Sequence, residues 1–594
     1  MEGNFVIQVL RGRWFMMFAS FLIMAGAGAT YLFGVYSKDI KSTLGYDQST
    51  LNLLGSFKDV GANVGIVSGL IAEVTPTWFV LLMGSAMNFA GYFLIWLSVT
   101  KRTPKPRVWQ MCLYICIGAN SQNFANTGSL VTCVKNFPES RGMMLGLMKG
   151  FVGLSGAVFT QLYLAIYGDD SKSMILLIAW LPAVLSIIFI PSIRPMKISR
   201  HPQETRVLFE YLWISITMAL CLMGLTITQK YVKFSHTAYV ACASVVCVLL
   251  FLPFFISIRE EYSTRRATKR ERKKKEVSSD NHSTSRVAVV DDIEEQPSPG
   301  PRLPEIVEVS EDMEQGMEGG KSTRGARCFR DICKKPKRGD DYTILQALLS
   351  IDMLILFICN FCGQGCSLTA VDNLGQIGES LGYPSQTIST FVSLISIWNF
   401  FGRVFSGFVS EGIIKKWRVP RPLMMTLSLL VPVVGDLFIA FPFPGSVYIA
   451  SLLIGFSYGV QLTLLFIIIS ELFGLKYYST LFNCGQLASP IGSYILNVKI
   501  VGKLYDMEAV KQLQMKGIER AMVKELTCIG KSCYRVSFII LAGVNIFGAL
   551  VSLILVFRTR DYYKTDIYKR FRDEMEANEK EMADVAFPRL GAPK

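Results

Sequence analysis

Charged residues lie inside several long apolar stretches of this 594-residue chain. On insertion scales such a charge costs roughly 2.5 to 3.5 kcal/mol at the centre of a bilayer, so it persists where a polar cavity or a partner offsets that cost. These positions are therefore the first candidates for ligand binding or proton transfer. They are Lys58, Asp59, Lys149, Asp352, Arg403 and Asp436.

Lys149 lies well inside an apolar stretch that is rich in glycine. A fixed ammonium attracts an anion strongly where water is scarce, so a small carboxylate is a reasonable ligand. A structural pair with another helix explains the residue equally well, and a side chain that reaches the membrane surface is a third alternative. A structural role is favoured for Arg403 and the surface alternative for Lys58. Proton transfer would need a titrating acid, for which Asp59 and Asp352 are the candidates.

A second polar group lies on the predicted helix 108–134. Asn120, Asn123 and Thr127 fall on one face of it, at i, i+3 and i+7. These side chains either line a cavity or form interhelical hydrogen bonds, which are worth about 0.6 kcal/mol each. The crowding of amides on one helix favours cavity lining.

The composition excludes most soluble and enzymatic alternatives. The chain is 51% hydrophobic and 18% charged, and its apolar runs are longer than a soluble domain needs, since a spanning helix takes roughly 20 apolar residues. No paired CxxC with ligand spacing occurs, and the three histidines lie far apart, so we expect no metal site, no cofactor and no enzyme activity. The net charge of +15 comes from basic loops beside apolar segments, which indicates membrane topology rather than a nucleic-acid partner.

Fourteen apolar segments predict an all-α polytopic membrane protein with spans grouped as six, two and six. The predicted spans are 14–36, 51–72, 78–99, 108–134, 142–166, 174–193, 207–228, 236–257, 343–365, 385–410, 422–442, 446–470, 479–500 and 534–557. The corresponding division is an N-terminal segment (1–13), a first six-helix half (14–200), two additional helices (201–257), a disordered charged linker (258–342), a second six-helix half (343–557) and a tail (558–594).

An internal repeat supports two related halves. Leu44-Gly45-Tyr46 matches Leu381-Gly382-Tyr383, and Ser68-Gly69 with Glu73 matches Ser406-Gly407 with Glu411. Basic residues concentrate in the loops that lie inside when the N-terminus is cytosolic, and only the loop 100–107 disagrees. We therefore expect both chain ends in the cytosol. The sequence does not indicate whether the membrane is the plasma membrane or an endomembrane.

Small residues at four-residue spacing predict close helix packing, because residues four apart share a helix face. Three predicted spans carry such strips. They are Gly61, Gly65 and Gly69; Gly142, Gly146 and Gly150; and Gly402, Ser406 and Ser410.

Three motifs resemble the plant nodulin-like branch of the major facilitator superfamily, which includes the nuclear-fusion-defective type proteins. They are FKDVGANVGIVSG at 57–69, NFPESRGMMLGLMKGFVGLSGA at 136–157 and LTAVDNLGQIGESLGYP at 368–384. That branch is similar to oxalate/formate antiporters and monocarboxylate transporters. The resemblance implies two six-helix bundles and alternating access, but it supplies no substrate.

The resemblance also implies where a site would lie. The glycine strips would line the interface between halves, although packing within one half explains them as well. The cavity would be lined by the first and fourth helices of each half, which adds Tyr31, Asn360, Gln364, Tyr458 and Gln461. The loop after Glu73 lacks the basic residues usual in the superfamily, so a charge-paired gate in the first half is not expected.

The expected function is secondary transport of a small solute, with an organic anion as the candidate substrate and protons as the candidate coupling ion. The expected surroundings are the lipid bilayer. A receptor or scaffold that uses the same fold, with 258–342 as its signalling surface, is the alternative. Cys528 and Cys533 lie in a predicted outer loop and would form a disulfide if that compartment is oxidising.

Overall fold

The structure is a computed structural model that describes residues 2–46, 48–168, 170–196, 203–232, 234–284, 336–517 and 527–586. These residues are predominantly helical and contain no strand. The helices before the linker are α1 (Glu2–Leu10), α2 (Arg13–Gly26), α3 (Phe33–Leu44), α4 (Gln48–Asn63), α5 (Ile66–Val74), α6 (Thr77–Val99), α7 (Val108–Ala125), α8 (Val131–Asn136), α9 (Arg141–Tyr167), α10 (Ser171–Phe189), α11 (Glu204–Tyr231) and α12 (His236–Thr284).

The second half follows the same all-helical plan. Its helices are α13 (Ile344–Leu348), α14 (Ile351–Ser380), α15 (Ser385–Trp417), α16 (Arg421–Ala440), α17 (Ser446–Leu472), α18 (Tyr478–Gln486), α19 (Ala488–Ser493), α20 (Lys503–Met515), α21 (Ser532–Lys564) and α22 (Lys569–Ala586).

Within the described residues, nine helices are long and apolar enough to cross a membrane. They are α6, α9, α10, α11, α12, α14, α16, α17 and α21. Large apolar side chains, among them Trp213, Phe255 and Phe557, are exposed on such helices, as expected of a surface that contacts lipid. The protein is therefore an all-helical, multi-pass membrane protein, while the total of fourteen spans stays a prediction.

Several predicted spans consist of interrupted helices. Between α4 and α5 the chain leaves the helix at Val64 and Gly65, and between α7 and α8 it makes a π-helical turn, Asn126–Leu130. A longer π-helical segment, Tyr494–Gly502, follows α19. Interrupted backbone is tolerated at membrane depth only where other groups satisfy its polar atoms, so these positions require polar neighbours.

Local sequence explains several helix boundaries. Pro76, Pro384 and Pro420 directly precede α6, α15 and α16, where the missing N–H of proline costs nothing and its fixed φ suits the entry into a helix. Gly45 ends α3 in the left-handed region at φ 61°, which glycine adopts without strain.

The predicted linker begins at residue 258. In the structure residues 258–284 continue α12, and the division of the chain at this point stays a prediction. The region 258–335 forms a unit of its own, and 285–335 lie outside the described residues. The rest of the chain, 1–257 with 336–594, forms one compact unit.

One apolar cluster in this unit extends from the first half into the second. It includes Met148 and Phe151 on α9, Phe400 on α15 and Phe466 on α17, all fully or almost fully buried. The two halves are thus packed against each other around α9.

Candidate functional site

The two halves meet most closely where α9 crosses α15. A Cβ atom added to Gly146 would lie 3.0 Å from the carbonyl oxygen of Arg403 and 3.0 Å from the Cα of Gly407. Gly142 lies against the side chains of Glu411 and Arg421. Gly150, in the same strip, faces Val404 and Phe400. Larger side chains at these positions would hold the halves apart.

A second contact between halves joins α5 to α18. A Cβ atom on Gly69 would lie 2.7 Å from the Cα of Thr480. The Glu73 carboxylate accepts hydrogen bonds from the hydroxyl groups of Ser479 and Thr480, the latter at 3.3 Å. The acid that lacks a basic partner in its own loop therefore binds hydroxyl groups of the opposite half.

Other members of the glycine strips pack within their own half. A Cβ atom on Gly61 would lie 2.5 Å from the carbonyl oxygen of Cys116, and one on Gly402 would lie 2.1 Å from that of Phe456. The hydroxyl of Ser406 donates to the carbonyl of Arg403 at 2.9 Å on the same helix. For Gly61 and Gly402 these contacts favour packing inside one half, the alternative that the sequence left open.

Lys149 lies between the halves and is only 3% exposed. Its Nζ donates to Oδ1 of Asn126 at 3.3 Å and lies 4.1 Å from the centre of the Phe466 ring, which belongs to the second half. Neither contact supplies a negative charge, and a cation over an aromatic face gains about 0.5 to 2 kcal/mol. The ammonium is buried rather than extended to a membrane surface.

Arg403 holds the neighbouring backbone in place. Its Nη1 donates to the carbonyl oxygen of Lys149 at 2.7 Å, and its Nε donates to Oδ1 of Asn399 at 2.8 Å. These bonds join Arg403 to both halves, and its structural role stays a prediction.

The amides of α7 satisfy the interruption between α4 and α5. Nδ2 of Asn120 donates to the carbonyl oxygens of Gly61 at 2.9 Å and Val64 at 2.8 Å, and Nδ2 of Asn123 donates to that of Gly61 at 2.9 Å. The nitrogen atoms of Asn120 and Asn123 thus form interhelical hydrogen bonds, and cavity lining by these residues stays a prediction. The amides thus satisfy backbone carbonyl groups next to the break in the helix at Gly65, where water is scarce.

Side chains of α18, which we did not single out from the sequence, complete this polar region. Nδ2 of Asn483 lies 3.3 Å from Oγ1 of Thr127, and Nε2 of Gln486 donates to Oδ1 of Asn63 at 3.2 Å. Thr127 also lies 2.9 Å from the hydroxyl of Ser68. The i, i+3 spacing of Asn483 and Gln486 is the sequence feature that could have identified these two amides.

The second-half amides form bonds between helices of that half. Asn360 donates to Gly485 O, Gln364 to Tyr458 O and Gln461 to Ser428 O, each at 3.0 Å. All three amide side chains are at most 1% exposed. The nitrogen atoms of these three amides therefore form interhelical hydrogen bonds, which was the alternative to cavity lining. The side chain of Tyr31 lies outside the described part of the structure, so its role stays a prediction.

A buried charged cluster closes one end of the interface. Arg421 pairs with Glu411 and, at 2.7 Å, with Glu471, and all three side chains are at most 1% exposed. The Tyr568 hydroxyl donates to Glu411 at 3.1 Å and Glu471 at 3.3 Å. Burial and the nearby Glu411 charge raise the pKa of Tyr568 well above its usual value, so its hydroxyl keeps its proton.

The first half contributes one arginine to the same end. Nη1 of Arg141 donates to the carbonyl oxygen of Ser470 at 3.1 Å, and its guanidinium lies 5.2 Å from the centre of the Tyr568 ring. We call Arg141, Glu411, Arg421, Glu471 and Tyr568 the charged end. A buried ion pair of this kind is strongly disrupted when one partner is removed.

The remaining intramembrane charges have partners of their own. Asp352 pairs with Arg338 at 2.9 Å and Arg558 at 2.6 Å, and its role in proton transfer stays a prediction. Asp436 accepts from Nδ2 of Asn545 at 2.9 Å.

Lys58 and Asp59 form an ion pair at 2.8 Å although they are neighbours in sequence. In the predicted outer loop, Cys528 and Cys533 form a disulfide, with Cα atoms 5.8 Å apart.

These elements define an integral membrane protein whose two helical halves bury polar and charged groups between them. The family model described as nodulin-like matches residues 13–258, and the one described as the NFD4 C-terminal domain matches residues 341–565. Together the two matches confirm the resemblance to nodulin-like, nuclear-fusion-defective type proteins that the motifs indicate.

The chain is similar to Protein NUCLEAR FUSION DEFECTIVE 4 of Arabidopsis thaliana, with 24% identity over 560 residues that cover 93% of this chain and 89% of the relative. It is also similar to the Probable transporter MCH1 of Yarrowia lipolytica, with 26% identity over 196 residues, which cover 31% and 38% of the two chains.

Two solved structures resemble the fold. The proton:xylose symporter XylE, bound to 6-bromo-6-deoxy-D-glucose, has a TM-score of 0.49 and 10% identity and covers 93% of this chain and 95% of its own. The transporter FucP in the outward conformation has a TM-score of 0.45 and 11% identity and covers 91% of this chain and 99% of its own.

Proposed function

We propose that the protein is a secondary transporter that moves a small organic anion across a membrane by alternating access. The observation that carries this proposal is the position of Lys149. Its ammonium is buried between the two halves, against an amide of the first and an aromatic ring of the second. No carboxylate of the residues that the structure describes pairs with this cation. Such a cation favours an anionic ligand, because the low dielectric strengthens their attraction.

The interface between halves suits a rocking motion. Contacts through Gly69 and Gly146 involve the backbone of the opposite half rather than interlocked large side chains, so the helices approach closely at these two points. The charged end and the Glu73–Ser479 contact hold one side together in this conformation. Alternating access then requires these contacts to break while the other side closes.

The finer topology belongs to the same proposal. Fourteen spans, grouped as six, two and six, would place both chain ends and the charged end on the cytosolic side. The conformation described here would then be closed toward the cytosol. Access of impermeant reagents to cysteines introduced at Glu2 and Lys569 tests this orientation in intact cells, since labelling of either from outside contradicts it.

Proton coupling is the proposed energy source, with Asp59 as the candidate carrier. Its side chain is 47% exposed and pairs with Lys58 at 2.8 Å, so protonation would release a nearby cation. Uptake driven by an imposed pH gradient, compared between the wild-type protein and Asp59→Asn, measures this directly.

Transport is tested in reconstituted vesicles with a panel of radiolabelled mono- and dicarboxylates. We expect counterflow of at least one anion, a loss of about tenfold or more in Lys149→Ala, and partial retention in Lys149→Arg. Lys415→Ala is the matched control, because that lysine side chain is 46% exposed. Uptake of every tested anion that is unchanged in Lys149→Ala contradicts the anion proposal. A protein that folds but moves no solute supports the receptor or scaffold alternative.

A further inference from the structure

Three buried amide oxygens face the interruption between α4 and α5. They are Oδ1 of Asn123, Oδ1 of Asn483 and Oε1 of Gln486, and we call these residues the amide cluster. The three side chains are 1%, 0% and 6% exposed. None of the three oxygens accepts a hydrogen bond from any residue that the structure describes. Buried acceptors are normally satisfied, so this group requires an explanation.

The nitrogen partners determine which way each amide points. Nδ2 of Asn123 donates to Gly61 O at 2.9 Å, and Nδ2 of Asn483 donates to Ser479 O at 2.8 Å. A backbone carbonyl only accepts, so a flipped amide would place two acceptors together. Nε2 of Gln486 donates to Oδ1 of Asn63, whose own Nδ2 donates to Asp59 O at 2.9 Å. The chemical identity of all three free oxygens is thereby assigned.

Two of the amides lie against Gly65, the residue at which the second predicted span is interrupted, and Gln486 contacts Asn63 just before it. A Cβ atom on Gly65 would lie 2.1 Å from Oδ1 of Asn483 and 2.9 Å from Cγ of Asn123. Gln486 is three residues after Asn483 on α18 and so shares its helix face. The hydroxyls of Ser68 and Thr127 lie 2.9 Å apart in the same region.

A ligand of this cluster must therefore offer positive charge or hydrogen-bond donors. Neutral oxygen atoms from amides, hydroxyls and an interrupted helix are the ligands that hard alkali cations take in membrane proteins. The cluster contains no carboxylate, which disfavours a divalent ion because its larger charge would remain uncompensated. We infer that Asn123, Asn483 and Gln486 bind a monovalent alkali cation beside Gly65, at the junction of the two halves.

This site would depend on conformation. Asn123 and Gly65 belong to the first half, whereas Asn483 and Gln486 belong to the second. Separation of the halves at this end would divide the ligand set. A bound cation would therefore stabilise the conformation described here, because a ligand shifts an equilibrium toward the state it binds better. This consequence rests on the proposed rocking motion, but the binding itself does not.

The test is the thermal unfolding of purified full-length protein in detergent, titrated with NaCl, KCl or choline chloride at constant ionic strength. We expect a saturable rise of a few degrees in melting temperature with Na⁺ or K⁺ over choline. Asn483→Ala and Gln486→Ala should lose this rise. Asn483→Asp should reach half-saturation at a cation concentration about tenfold lower, because a carboxylate adds a charge to the site.

Asn88→Ala is the matched control. Asn88 is also a buried amide, but its nitrogen donates to Ile178 O at 2.8 Å and its oxygen accepts from Ser121 at 3.2 Å. This variant should melt earlier and keep the full cation response. Identical melting curves in alkali and choline salts overturn the inference, as does a cation response that survives in both Asn483→Ala and Gln486→Ala. The cation inference and the proposed function can be tested separately. If Lys149→Ala loses anion counterflow but keeps the cation response, the two properties belong to different sites.

Discussion

Arg403 of the second half donates a hydrogen bond from Nη1 to the backbone carbonyl of Lys149 in the first half, at 2.7 Å. The same guanidinium is tied to its own helix through Asn399. The residue proposed to attract the solute is thus fixed through its backbone by the opposite half, while its side chain stays near Asn126 and Phe466. A movement of α15 away from α9 would therefore break this hydrogen bond. The backbone around Lys149 would then change its position as the two halves separate.

Arg403→Ala should destabilise the protein and weaken the contact between halves. A hydrogen bond to a charged group is worth about 1.5 to 3 kcal/mol, and the carbonyl of Lys149 would be left buried without its donor. We expect a lower melting temperature. We also expect faster cross-linking between cysteines introduced in the two halves at the opposite end of the interface. Arg403→Lys should restore little, since a point charge does not reproduce the fork geometry of a guanidinium. Unchanged stability in Arg403→Ala would show that the contact is dispensable.

Gly146→Val should block closure of the interface between α9 and α15. Because even a Cβ at this position would lie 3.0 Å from backbone atoms of α15, a branched side chain forces the helices apart. We expect loss of transport with normal membrane insertion, and a reduced yield of a cysteine cross-link between Glu73→Cys and Ser479→Cys. Gly224→Val is the control, since apart from the neighbouring backbone of its own helix no described atom lies within 4 Å of a Cβ there. Equal effects of the two substitutions would mean that glycine matters only for helix formation.

Much of this arrangement follows from local sequence. Apolar runs and basic loops predict helices because length and hydropathy are properties of a continuous segment. The interruption at Gly65 was not predictable in that way, because the same glycine fits an uninterrupted packing strip. The roles of Asn483 and Gln486 depend on how α18 is rotated against the opposite half, which no single-segment pattern encodes.

The charged end shows the same limit. Glu411 was noted for its place in the repeat, but its partners Arg421, Glu471 and Tyr568 come from three other segments. Their pairing is a tertiary property that spacing does not reveal. A structural role was expected for Arg403 because a charge deep in a span has few other stable solutions, and this role stays a prediction.

Arg421→Ala should be among the most damaging substitutions in the second half. It would remove the buried guanidinium from both Glu411 and Glu471 and leave Glu411 with only the exposed Lys415, and a broken buried pair costs about 3 to 5 kcal/mol. We expect a large fall in melting temperature, or failure to fold, and Arg421→Ala combined with Glu411→Gln and Glu471→Gln should recover part of the loss. Lys415→Ala, which removes an exposed partner of Glu411 at 3.6 Å, should cost less than about 1 kcal/mol. Equal destabilisation by both single substitutions would contradict the assignment.

Tyr568→Phe tests whether the tail holds the charged end together. The hydroxyl donates to Glu411 and Glu471, so its loss should increase access of thiol reagents to a cysteine introduced at Ser479.

The pKa of Tyr568 is raised above its usual 10.0 by burial and then by Glu411. The folded protein therefore keeps this proton at a pH where the unfolded chain loses it, and the contribution to stability is present below pH 10 and falls as the pH rises further. In melting experiments across the alkaline range, the wild-type protein should lose stability more steeply than Tyr568→Phe. Parallel slopes for the two proteins would show that Tyr568 titrates as an ordinary exposed tyrosine and does not close this end.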